Sequence, residues 1–252
     1  MVPAVSMIAQ RLIGLLDGLL PAQLDSFYLV GSVAQGDYQE GQSDVDFVAV
    51  LSTPIDVAAM AAAHATLCHD LPDIACDGIY LQPGELSRRP AGKGVAVREG
   101  KINPSSPEER TPVVWLLLAD EGIVLRGRVP DISWIAADRD AAIEYSRANL
   151  QSYWRSWMSR ATVEGQGLLD DAAVVWGALG VARVHATIVT GRVPSKTAAV
   201  AHAMAAFPDH AEIFREALRL RCDPISVSTY TSPLTRRQDL VVFVEAVICA
   251  GA

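Results

Sequence analysis

Asp44 and Asp46, followed by an apolar run and preceded by Gly31-Ser32, are the residues of this 252-residue chain whose types and spacing best suit chemistry. They fall in the stretch FYLVGSVAQGDYQEGQSDVDFVAVL, from Phe27 to Leu51. Short apolar runs bound it, Phe27 to Val30 before and Phe47 to Leu51 after, and their β-branched and aromatic content predicts two buried strands. On a strand, residues i and i+2 share a face, so Asp44 and Asp46 project together while Val45 and Phe47 turn to the core. Two carboxylates held side by side repel unless a cation sits between them. Hard divalent cations such as Mg²⁺ take oxygen ligands of this kind. The plainer alternative is a surface hairpin with two solvated aspartates, and it accounts for neither the order of the motifs nor the flanking strands.

Gly31-Ser32 supplies the other half of the signal. A glycine closing a strand lets the backbone turn sharply or approach a ligand without a Cβ in the way. Ser32 is expected to cap a short helix over Val33–Gly36, whose free N–H groups attract phosphate oxygens. Phosphate donors beside a paired-carboxylate metal site make a device for handling triphosphates. The arrangement resembles the nucleotidyltransferase (polymerase β-like) superfamily, in which a Gly-Ser turn precedes a D-x-D pair on the next strand.

Composition narrows the setting. Half the residues are hydrophobic and 20% are charged, an ordinary globular profile. A net charge of −8 and the lack of any Lys/Arg run beyond pairs such as Arg88-Arg89 and Arg236-Arg237 argue against a nucleic-acid partner. An acidic chain suits a small cationic partner instead. Cys68, Cys76, Cys222 and Cys249 show no C-x-x-C spacing, so free thiols in a reducing cytoplasm are expected. The opening segment is broken by Gln10, Arg11 and Asp17 and reads as an amphipathic helix rather than a signal peptide. Without about 18 consecutive apolar residues, no membrane span is expected.

Along the chain, helix is expected over 5–20 and 55–69, with strands over 27–30, 47–51 and 74–81. From 86 to 112 the sequence turns to Gly, Pro, Arg and Ser, and reads as a long loop with an edge strand at Val95–Val97. Val113–Leu118 and Gly122–Gly127 read as a hairpin or a helix-turn-strand. Beyond Pro130 only helices are expected: 137–163, 168–190, 195–206, 209–221 and 235–250, punctuated at Gly165-Gln-Gly167, Gly191, Pro208 and Pro224. Strands in the first half and helices in the second predict an α+β chain: an N-terminal α/β domain with a mixed sheet over 1–132, then a helical bundle over 133–252.

Transfer chemistry needs a base for the acceptor hydroxyl and cations for the triphosphate. The third strand carries Asp73 and Asp77; Asp77 lies within it, where an unpaired carboxylate has little structural reason to be, and it is the candidate base. Asp73 follows Pro72 and is expected to be exposed. Arg183, on an otherwise apolar helix, needs an anionic or polar partner. Lys196 follows Gly191 and Pro194 near a helix start, where a cation opposes the helix dipole unless an anion is close.

The segment from Leu179 to Pro208, LGVARVHATIVTGRVPSKTAAVAHAMAAFP, is similar to the matching part of the streptomycin/spectinomycin adenylyltransferase family. In that family an Arg-bearing helix runs into T-G-[KR]-x-x-[PS]-K, here Arg183, Thr190-Gly191-Arg192 and Ser195-Lys196. The resemblance implies a nucleotidyltransferase domain followed by the helical domain, with Mg²⁺ and ATP as cofactor and co-substrate. It implies Asp44 and Asp46 as metal ligands and Asp77 as the base, although the family has Glu there and Asp is one methylene shorter. Gly31, Ser32, Arg183 and Lys196 inherit the contacts to the triphosphate.

Acceptor recognition is the least legible part. Glu164, Asp170 and Asp171 stand where the second bundle helix begins, with Trp154, Trp157 and Trp176 nearby in sequence, and polycationic acceptors favour carboxylates and aromatic faces. The ordinary role of such acids is helix capping and of such tryptophans core packing. Asp170, Asp171 and Trp176 are the candidates for substrate contact.

Other chemistries lack their motifs: there is no H-E-x-x-H, G-x-S-x-G, G-x-x-x-x-G-K-[ST] or G-x-G-x-x-G. The expected activity is Mg²⁺-dependent transfer of AMP from ATP to a hydroxyl of a small, aminoglycoside-type acceptor, with a protein hydroxyl as the alternative acceptor and a non-catalytic nucleotide-binding protein as the third reading. The oligomeric state is open, with a monomer favoured.

Overall fold

Pro3 opens the first helix, α1 (Pro3–Leu19), at a position where a missing N–H costs nothing. The computed structural model describes residues 2–107, 109–163 and 169–251, with side chains for all of these except 161–163. Helix α1 buries Val5, Ile8, Ala9, Leu12, Ile13 and Leu16, one stripe at helical spacing. Next come β1 (Leu24–Leu29), a single turn α2 (Gly31–Ala34), β2 (Val45–Leu51), α3 (Val57–Asp70) and β3 (Cys76–Leu81). Asp56 caps α3 by accepting from the Ala58 and Ala59 N–H groups at 3.0 and 3.1 Å. A hairpin of β4 (Gly94–Arg98) and β5 (Lys101–Ser106), then α4 (Pro112–Glu121) and β6 (Ile123–Arg126), complete the first unit.

Among the described residues the strands form one mixed sheet in the order β5-β4-β3-β2-β1-β6. Only β2 and β3 run parallel, joined through α3; the other pairs are antiparallel. Phe27, Leu29, Phe47, Ala49, Leu51 and Tyr80 share a core with α1 and α3. The alternate residues Tyr28, Val48, Val50, Ile79 and Leu81 are buried as well, so the central strands carry apolar side chains on both faces. Phe27 and Phe47 stack at 5.1 Å and are fully buried, each contributing roughly 1.5–3 kcal/mol. They clamp β1 to β2, the strands that bracket the Gly31-Ser32 and Asp44-Asp46 motifs.

One expectation needs correction here. The 86–112 segment is not a loop with an edge strand: β4 is interior and pairs with both β3 and β5, and β5 is the edge. Residues 113–127 take the helix-turn-strand form, with Thr111 accepting from the Val114 N–H at the start of α4. The chain forms two compact units, Met1–Asp138 and Arg139–Ala252. Buried Ile135, the Ala136 N–H donated to the Leu86 carbonyl at 2.7 Å and the Arg89–Asp138 ion pair at 2.7 Å hold residues 133–138 to the first unit.

Among its described residues the second unit contains helices and no strand: α5 (Arg139–Asn149), a π-turn (Leu150–Trp154), α6 (Arg155–Val163), α7 (Asp171–Thr190), α8 (Lys196–Ala206), a 3-10 turn (Pro208–His210), α9 (Ala211–Cys222) and α10 (Pro233–Ala250). The helix expected without a break over 137–163 is thus interrupted by the π-turn. The expected Gly165-Gln-Gly167 punctuation and Glu164 lie outside the described residues. Helix α7 is long and apolar enough to cross a membrane by composition, yet Val174, Ala178, Leu179, Val181 and Ala182 sit at the centre of this unit's core. Glu216 is completely buried but satisfied by Arg219, Ser228 and Arg236, and the Arg219 hydrogen bond chiefly holds its carboxyl down to about 2. Arg236 also pairs with Asp171, tying the start of α7 to α9 and α10.

Candidate active site

Gly31 has φ +62°, and a Cβ there would stand 2.0 Å from Asp46 Oδ2. The residue is glycine for two independent reasons: the left-handed backbone and the carboxylate lying against its Cα. Two motifs neighbouring in sequence are therefore in direct contact in space. The Val30 N–H donates to the Asp46 carbonyl at 3.0 Å, fixing the turn to the start of β2. Ser32 does not cap the short helix. Val30 occupies that position without a side-chain bond, because Gly31 itself begins the turn. The Ser32 carbonyl instead accepts from the Asp37 N–H at 2.8 Å.

Ser43 closes the loop before β2, its Oγ accepting from the Gln39 N–H at 3.0 Å and its own N–H reaching the Gln39 carbonyl at 2.9 Å. Asp44 is exposed just ahead of the strand and Asp46 is half-buried within it, while Val45 and Phe47 are buried. Parallel pairing then sets Asp46 directly beside Asp77 in register, with Val45 beside Cys76. Neighbouring strands lie about 4.8 Å apart and paired residues share a face, so the two carboxylates are presented side by side. Asp73 falls before β3 and is exposed.

Asp77 is held from the far side by the β4–β5 turn. The Glu99 N–H donates to Asp77 Oδ1 at 2.8 Å. Glu99 itself has φ +50°, a conformation that costs a non-glycine residue of order 1–3 kcal/mol. The turn R-E-G-K carries a hairpin signal in Gly100, but nothing in the sequence links it to Asp77.

Desolvation by burial is the main cause raising the Asp77 carboxyl to about 6, with the Asp44 charge adding to it and the Glu99 N–H and Arg98 opposing it. A folded-state value above the ordinary one means protonated Asp77 favours the fold. That contribution is fully present below about pH 4 and is lost as pH rises through about 6. Asp77→Asn, which cannot ionise, is expected to melt above the wild type at pH 8 in metal-free buffer and level with it below about pH 4. Thermal melts at the two pH values check this; a variant that melts lower at pH 8 contradicts it.

The donor set fits a hard divalent cation. Asp44 and Asp46 offer carboxylate oxygens, and Mg²⁺ commonly takes one or two carboxylates, completing its shell with water and substrate phosphates. Among the described residues no three His, Cys, Asp or Glu side chains are gathered closely enough to hold a metal unaided. A cavity of about 420 Å³ lies behind α2, lined by Val2, Val5, Val33, Gly36, Tyr38 and Ile123. Its walls are apolar apart from Tyr38 and include none of the three carboxylates, so it does not suit a polycation.

The remaining candidates belong to the second unit. Arg183 donates from Nε to the Pro194 carbonyl at 2.9 Å, linking α7 to the segment before α8. Lys196 is the first residue of α8, whose cap is Ser195, accepting from the Ala198 N–H at 3.1 Å. The Lys196 ammonium lies 5.3 Å from the centre of the Trp176 ring. Asp170 caps α7, accepting from the Ala173 N–H at 2.6 Å. Asp171 pairs with Arg236 at 2.8 Å while its side chain stays 65% exposed. The structure thus gathers Asp44, Asp46 and Gly31-Ser32 with Asp77 in the first unit, and Arg183, Lys196 and Trp176 around the α7–α8 connection in the second.

Residues 15–67 match the family model for a nucleotidyltransferase domain, a span that includes Gly31-Ser32, Asp44 and Asp46 and ends before Asp77. No curated protein sequence matches the chain. Among solved structures, the spectinomycin adenyltransferase AAD(9) from Enterococcus faecialis, determined with ATP and spectinomycin, is similar over 95% of this chain and 99% of its own. The TM-score is 0.66 at 15% sequence identity, a likeness of fold.

Proposed function

We propose that this chain, which carries a nucleotidyltransferase domain and shares the two-part fold of a spectinomycin adenyltransferase, transfers AMP from ATP to a hydroxyl of a small cationic acceptor of the aminoglycoside class, releasing pyrophosphate. The observation that carries the reading is the in-register pair Asp46 and Asp77, with Asp46 packed against Gly31. Such a cluster of negative charge suits a divalent cation, which in turn neutralises a triphosphate, and an amine-bearing acceptor.

Mg²⁺ held by Asp44 and Asp46 would supply Lewis-acid neutralisation of the triphosphate. Asp77 takes the proton of the acceptor hydroxyl as that oxygen attacks the α-phosphorus. With its carboxyl at about 6, it is ionised at neutral pH and basic enough to be useful. Gly31 and Ser32 offer backbone N–H groups to phosphate oxygens, and Arg183 and Lys196 bear on the charge of the departing pyrophosphate. Asp170 and Asp171 are the acids assigned to an acceptor amine, Asp171 largely exposed beside Arg236 and Asp170 at the cap of α7. An acidic chain of this kind suits the cytoplasm, where MgATP is abundant.

Lys196→Ala tests the assignment of the triphosphate contacts. Loss of a charge-assisted hydrogen bond should weaken MgATP binding by roughly 1.5–3 kcal/mol. AMP, without distal phosphates, should bind as before. Isothermal titration of both ligands separates this from a merely solvated lysine, for which neither affinity changes. At the level of activity, pyrophosphate release from MgATP should depend on an added aminoglycoside; release from none of a broad panel would contradict the acceptor class.

A further inference from the structure

We infer that Trp176 is a positioning residue for Lys196, holding the ammonium ready for the distal phosphates; the inference rests on the triphosphate role of Lys196 proposed above. Lys196 opens α8, where the helix dipole and the free N–H groups repel a cation. The Trp176 ring, 5.3 Å from the Lys196 Nζ, attracts the ammonium through the negative face of its π-system.

The ring is itself fixed with unusual care for a residue that is 39% exposed. Its Nε1–H donates to the Tyr153 hydroxyl at 3.0 Å, and its indole stacks on Trp154 at 6.1 Å with 28° between planes. Trp154 is buried and meets Trp157 edge-on at 5.5 Å. Both depend on missing side chains in α7: a Cβ at Gly180 would stand 2.8 Å from Trp154, and one at Gly177 would stand 2.7 Å from Trp157. Tyr153 and Trp154 both lie in the π-turn Leu150–Trp154, a local widening of the helix often found at functional sites. Glycines, π-turn and aromatic stack make a rigid platform, and the side chain resting on its outermost ring is Lys196. In this role Trp176 acts through Lys196 rather than by touching the acceptor.

Isothermal titration of the full chain with MgATP and with AMP tests it, using Trp176→Leu, Lys196→Met and the double variant. A cation–π contact at a partly exposed ring corresponds to roughly a three- to five-fold change in affinity. Trp176→Leu is therefore expected to weaken MgATP about three- to five-fold, to leave AMP unchanged, and to add nothing in the Lys196→Met background. Equal weakening of ATP and AMP, or additivity in the double variant, would mean a structural role and overturn the inference. Weakening of MgATP by Lys196→Met but not by Trp176→Leu overturns it while leaving the proposed function intact. No effect of Lys196→Met on MgATP removes the triphosphate role, and the inference with it. Should Trp176→Leu fail to fold, Trp176→Phe keeps an aromatic ring, and a loss of about two-fold confined to MgATP is expected; an unchanged affinity would overturn the inference.

Discussion

Asp44→Asn and Asp46→Asn are each expected to lower turnover at least roughly 10³-fold while leaving the fold intact, about 4 kcal/mol of transition-state stabilisation. Asparagine matches aspartate in shape, so the contact of residue 46 with Gly31 and the β2–β3 register survive the change. What is lost is the negative charge that would hold the metal and, through it, the triphosphate. The same substitution removes like charge from beside Asp77, whose carboxyl the Asp44 charge helps to raise. Melting temperatures without Mg²⁺ should accordingly be unchanged or slightly higher. Steady-state turnover and thermal melts on the same preparations check both halves. Near wild-type turnover in either variant would remove that residue from the metal site.

Asp77→Asn is expected to bind MgATP as the wild type does and to lose roughly 10²–10⁴-fold in turnover, the usual contribution of general-base catalysis. The separation of effects follows from division of labour: the nucleotide is assigned to Asp44, Asp46, Gly31-Ser32 and the cations, and Asp77 to the acceptor hydroxyl. Residual wild-type kcat/KM should fall as pH drops through about 6, where Asp77 takes up its proton, and the variant should lack that limb. Nucleotide titration beside a pH–rate profile reads both. Collapse of ATP affinity together with rate would make Asp77 a metal ligand and leave the base to be found elsewhere.

The first unit's candidate site is legible in the sequence where its signals are local. Two short apolar runs and the alternation Asp44-Val45-Asp46-Phe47 state which side chains face the core and which do not, and burial follows that alternation. Asp77 stood out because a carboxylate within an apolar strand is expensive without a purpose. Its neighbours did not stand out, since the Glu99 bond spans 22 residues and depends on how a hairpin folds back. That hairpin was hidden for a physical reason. β5 reads K-I-N-P-S-S, polar and interrupted by Pro104, a composition an edge strand tolerates and an interior strand does not.

Residue type alone marks Ser32 as a cap, whereas the left-handed backbone of Gly31 moves the start of the turn one residue earlier. In the second unit, helix positions followed from spacing and breakers, and the π-turn did not, because one extra residue in a helical turn leaves no periodic trace over so short a span. Asp170 took the ordinary role of an acid ahead of a helix. The Lys196–Trp176 contact joins residues of two different helices and could be seen only once α7 and α8 were folded.

The most direct test of the central claim is mass spectrometry of an aminoglycoside panel incubated with MgATP and either the wild-type chain or Asp46→Asn. The expected result is an acceptor heavier by one adenylyl group, formed together with pyrophosphate by the wild type and at least roughly 10³-fold more slowly by the variant. No adenylylated product from any acceptor, or equal product from both proteins, would contradict it.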